Sequence, residues 1–90
     1  MVSEKDRAAL ARQALTLLHE GDYAMGPEWD AAHQIAQAHE GDALFDRIHA
    51  IVHRIEGDEW NADYWYRRAG LTIPDMAVAD EIGALRENLS

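Results

Sequence analysis

Two histidines, His49 and His53, stand four residues apart in the segment DRIHAIVHRIEGD, with Asp46 just ahead of them and Glu56 just behind. On a helix, residues three and four apart share a face. That spacing therefore puts two imidazoles and two carboxylates on one side. Neutral imidazole and carboxylate oxygen are ligands for zinc or a similar divalent ion. A histidine beside a carboxylate, such as His53 with Glu56, is also a general acid/base pair. His33 joins the group if the fold brings its segment close. The competing reading is a polar rim, in which Asp46 and His49 make ordinary contacts along the helix and the imidazoles cover a neighbour. No second ligand-rich motif accompanies the pair.

The next stretch, DEWNADYWYRRAG, carries a second kind of chemistry. Successive helical residues turn by about 100°, so Ala62, Trp65, Tyr66 and Ala69 fall in one arc and Trp60, Tyr64 and Arg68 in the opposite one. The first set is expected in the core. The second forms an outward strip of two aromatics and a guanidinium, the composition enriched in protein contact hot spots. Trp29, in an earlier stretch of similar sequence, is expected to join this contact surface. The bland alternative is a helix surface whose aromatics stack only on themselves.

Other chemistries find little support. The hydroxyl residues besides tyrosine are Ser3, Thr16, Thr72 and Ser90, two of them near the ends, and there is no cysteine. Disulfides, thiolate metal sites and cysteine nucleophiles are thereby excluded. No glycine-rich phosphate loop is present. Seventeen acids against 8 bases give a formal charge of −9. Such a body is repelled by nucleic acid and by anionic membrane. The charged start, MVSEKDRAALARQ, has no apolar h-region, and no run reaches the roughly 18 apolar residues of a membrane span, so a cytoplasmic protein is expected. If the histidines lie beside the acids, their folded pKa values should be raised, with stability present at low pH and fading as pH rises.

The elements that must position these residues are helices. Ninety residues with 48% apolar content make one small domain, residues 1–90. Glu-Gly-Asp occurs three times, ending at Asp22, Asp42 and Asp58. Glycine takes positive φ where a helix stops and aspartate caps the next, so these tripeptides read as punctuation. Five helices follow: Glu4 to about His19 with Ser3 as N-cap, Pro27 to about His39, Ala43 to Ile55, Glu59 to Ala69, and a last one from about Pro74. The first has Leu10, Ala14, Leu17 and Leu18 as its apolar face. The third has the clearest stripe, Leu44, Ile48, Ile51, Val52 and Ile55. The last presents Val78, Ile82, Leu85 and Leu89. No segment alternates with period two. Short loops favour antiparallel neighbours, so the expected fold is all-α, about five short helices packed as antiparallel hairpins.

Gly26-Pro27-Glu28-Trp29-Asp30-Ala31 and Gly57-Asp58-Glu59-Trp60-Asn61-Ala62 match closely, which suggests stacked helical hairpins. Gly57, Ala62, Tyr66, Ala69 and Pro74 stand at the spacings of the second half of a tetratricopeptide repeat, and NADYWYRRAG resembles the Sel-like subclass of those repeats. Asp46, His49 and Ala50 depart from that family's first-half pattern, and the period is shorter than usual. The segment His49 to Gly70 also resembles a group of short bacterial and fungal proteins of unknown function, with a histidine-rich helix followed by a tyrosine-tryptophan-tyrosine helix. That resemblance implies no activity. Taken together, the residues favour a small acidic interaction module, engaging a protein partner or a second copy, over catalysis, with no cofactor. The alternative is a divalent-metal site, or a metal-dependent acid/base enzyme, on His49, His53, Asp46 and Glu56.

Overall fold

The computed structural model describes residues 3–89. Five helices appear in it: α1 (Glu4–Glu20), α2 (Pro27–Gln37), α3 (Ala43–Glu56), α4 (Glu59–Arg68) and α5 (Val78–Leu89). No strand is present among the described residues, and no helix there is long and apolar enough to cross a membrane.

Caps set most of the boundaries. The Ser3 hydroxyl accepts from the Asp6 N–H, the Asp42 carboxylate from Leu44 N–H and the Asp58 carboxylate from Asn61 N–H, so α1, α3 and α4 each begin on a side-chain acceptor. Gly57, at φ 87°, ends α3 in the left-handed region that costs glycine least. The first Glu-Gly-Asp behaves differently. Gly21 keeps a φ of −80°, and Asp22 and Tyr23 take positive φ instead, 59° and 55°. Gly21 serves close packing: a Cβ there would stand 2.9 Å from Glu28 Cβ. Asp22 does not cap α2, whose N-cap is Gly26, with no side-chain acceptor.

Consecutive helices pack in turn, α1 on α2, α2 on α3 and α3 on α4, while α5 returns to lie on α1 and α3. The core runs along α3, where Phe45, Ile48, Ala50, Ile51 and Val52 are buried against Ala11, Ala14, Leu15 and Leu18 of α1. On α1 the buried face sits about one residue further on than expected. Leu10 and Leu17 flank it and are only partly covered.

The last helix begins at Val78, four residues past Pro74. The intervening chain is held open by α3: the Arg54 guanidinium donates to the Met76 carbonyl at 2.6 Å. The first bond of α5 runs from Glu81 N–H to the Ala77 carbonyl. Glu81 is fully buried, and its carboxylate accepts from Arg47, Arg54 and the Tyr66 hydroxyl. Burial first, then the bond to Glu81 and its charge, push the Tyr66 phenol well above its ordinary pKa, so it remains a donor. This polar cluster fastens α5 to the α3–α4 pair.

Candidate functional site: a histidine cluster behind an aromatic strip

Because α2 and α3 pack side by side, His33 reaches the two histidines of α3. The Nε2 atoms of His33 and His49 are 3.1 Å apart, and one ligand-capable nitrogen from each of His33, His49 and His53 lies within 4.8 Å of the others. The rings are held by packing. His49 stacks on Trp65 of α4 with centroids 3.9 Å apart and planes 12° apart. It also stacks on His53, and Trp29 lies beside His33. His49 and His53 are buried, while His33 remains half-exposed.

The carboxylates divide. Glu56 Oε1 accepts from His53 Nδ1 at 2.8 Å; in the neutral ring with its proton on Nδ1, Nε2 carries the lone pair. Glu56 and Asp58 form a second potential ligand group with His53. Asp46 is buried, but its carboxylate accepts from the Gly41 N–H at 3.1 Å, closing the turn that precedes α3. It is therefore outside the group that gathers around His49. Helical spacing placed Asp46 on the right face, yet a nearby backbone donor claims its oxygen. His33, expected only if its segment came close, enters through the α2–α3 contact.

At His33 and His49 the pKa direction is opposite to the one expected for histidines beside acids. Burial, then the neighbouring His33 and His53, lower His49 to about 3. Burial and His53 lower His33 as well, against the pull of Glu56, Asp30 and Glu40. Burial acts first on both rings, and the only ionisable neighbours acting on His49 are imidazoles, so raised values do not follow. A histidine with a depressed folded pKa binds fewer protons folded than unfolded below its ordinary value of 6.5. Stability is then full above that pH and is lost as pH falls towards 3. Each unit of pH below the unfolded value removes up to about 1.4 kcal/mol. In metal-free buffer the parent should lose on the order of 1–2 kcal/mol between pH 7.5 and 5 relative to His49→Gln. Equal pH slopes in the two urea-unfolding series would contradict this.

The outward strip forms as its spacing predicts, with one exception. Trp60 is 76% exposed and Tyr64 43%. Their rings are near-parallel, with planes 13° apart, and Arg68 lies over Tyr64. Arg68 also lies over the Trp65 ring at 5.0 Å, and the edge of Trp65 meets Tyr64. Trp65 and Tyr66 are buried, as expected. The exception is Trp29, which is only 6% exposed. Its indole N–H donates to the Val52 carbonyl at 2.9 Å. It is a core residue that joins α2 to α3 and does not line the outer face, although its surrounding sequence matches that of Trp60. Comparison with family models, curated proteins and solved structures found no match to the chain.

Proposed function

We propose that this chain is a small acidic contact module, whose outer α4 face, Trp60, Tyr64 and Arg68, grips a protein partner or a second copy. The supporting observation is Trp60, 76% exposed and held by stacking on Tyr64. An indole ordered before binding gives up little side-chain freedom when a partner covers it. Tryptophan, tyrosine and arginine are the residues in which binding energy concentrates. A net charge of −9 turns the choice of partner away from nucleic acid and anionic membrane. The proposed setting is the cytoplasm. The α1–α2 and α3–α4 pairs are read as two tetratricopeptide-like hairpins, on the spacing of Gly57, Ala62, Tyr66, Ala69 and Pro74, with α5 as an added closing helix. Kinship with the short bacterial and fungal proteins that carry a histidine helix before a tyrosine-tryptophan-tyrosine helix belongs to the same proposal.

Sedimentation at rising concentration tests the second copy. Association that disappears in Trp60→Ala and Tyr64→Ala, with far-ultraviolet dichroism unchanged, supports the reading. A monomer at every concentration removes self-association. Capture of the same proteins by parent, Trp60→Ala and Tyr64→Ala removes the strip as the contact.

A further inference from the structure

We propose that His33, His49 and His53 together hold one divalent cation of borderline softness, zinc foremost, through three imidazole nitrogens, with a solvent oxygen completing a tetrahedron. The proposal stands apart from the contact reading and needs none of Trp60, Tyr64 or Arg68.

Distance is the first argument. Ligand nitrogens about 2.0–2.1 Å from a tetrahedral zinc lie roughly 3.3–3.4 Å from one another. The Nε2 atoms of His33 and His49 stand 3.1 Å apart, and all three ligand-capable nitrogens fall within 4.8 Å. Small ring rotations therefore close the set. The second argument is support from behind. A metal-bound histidine usually donates its other ring N–H to a carboxylate or carbonyl, which fixes the tautomer and raises basicity. Glu56 does this for His53 at 2.8 Å. Preorganisation is the third. Trp65 covers His49 at 3.9 Å and Trp29 flanks His33 at 5.0 Å, so the rings are held near their places before any ion arrives. The lowered pKa values of His33 and His49 agree with this, because neutral imidazoles offer lone pairs without competition from protons. An all-imidazole set suits zinc, copper, nickel or iron and does not suit calcium or magnesium, which take oxygen.

The same geometry limits affinity. His49 Nδ1 is buried with no hydrogen-bond partner among the described residues. Without an ion, the arrangement that satisfies both rings has His49 donating Nε2–H to His33 and keeping a bare Nδ1 inside. A cation at His49 Nε2 displaces that proton to Nδ1, where no acceptor waits. A buried donor left unpaired weakens binding by about ten- to a hundredfold. The site is thus an open, exchangeable three-ligand centre, unlike a closed structural one.

The test is calorimetric titration of the chelator-stripped full chain with zinc, alongside cobalt(II) as a spectroscopic probe. The expected result is one ion per chain, with the intense visible bands of tetrahedral cobalt bleached by added zinc. Glu56→Gln should weaken binding by about 10- to 100-fold, and His33→Gln by more. Asp46→Asn should bind like the parent, and so should Trp60→Ala. His33 is half-exposed, so its variant is the one expected to fold. If dichroism shows otherwise, zinc-induced shifts of all three imidazole resonances in the parent decide the matter. No binding, octahedral cobalt, affinity unchanged in a folded His33→Gln, or imidazole resonances that ignore zinc would each overturn the assignment.

Discussion

Glu81→Ala should destabilise the fold by about 3–5 kcal/mol, the cost of leaving buried charge without its partner. The side chain is completely enclosed. Its Oε1 accepts from Arg54 at 2.9 Å and from the Tyr66 hydroxyl, and its Oε2 accepts from Arg47 at 3.1 Å. Truncation leaves the partly buried guanidiniums of Arg47 and Arg54 and the buried Tyr66 phenol facing a void. For a domain of this size about 1 kcal/mol moves Tm by roughly 4–8 °C, so a fall of roughly 12–40 °C is expected. Glu81→Gln, which still offers Tyr66 an acceptor, should lose less. Tyr66→Phe removes one neutral donor and should lose about 1–2 kcal/mol. Thermal melts followed by dichroism measure all three. A Glu81→Ala melt within a few degrees of the parent would mean that water reaches the carboxylate and that the network holds little.

Trp29→Ala and Trp60→Ala should differ sharply, although both residues sit in the same local motif. The first empties a core site, for which removal of a tryptophan costs about 3–5 kcal/mol, and it breaks the bond to the Val52 carbonyl. The second removes a ring that is 76% exposed, and substitutions at such positions stay within about 0.5 kcal/mol. Urea midpoints of the two variants give the comparison. Equal losses would mean that Trp60 packs in solution against something that stabilises the folded chain.

The helical phases were legible because the periodic residues sit where caps already mark the frame. Asp42 and Asp58 start α3 and α4, and the stripe from Leu44 to Ile55 follows at once. The split of Trp60 and Tyr64 from Trp65 and Tyr66 came from the same arithmetic. What it could not supply was the neighbour across each helix. Trp29 and Trp60 share a motif, yet α2 is laid against α3 and buries the first, whereas the outer side of α4 faces solvent. His33 joins the histidine pair for the same reason. Asp46 leaves it because the Gly41 N–H competes for its oxygen. The late start of α5 was equally hidden, since Pro74 is an admissible first helical residue until Arg54 takes the Met76 carbonyl.

Arg12 of α1 donates to the Leu89 carbonyl at the far end of α5, and Ile82 and Leu85 are buried in the core that α1 shares. An open solenoid frays from its ends, since each unit leans only on the one beside it. Here α1 and α5 pack on one another, so loosening of either uncovers part of the other. The molecule should therefore melt in a single all-or-none step, with no partly unravelled species on the way.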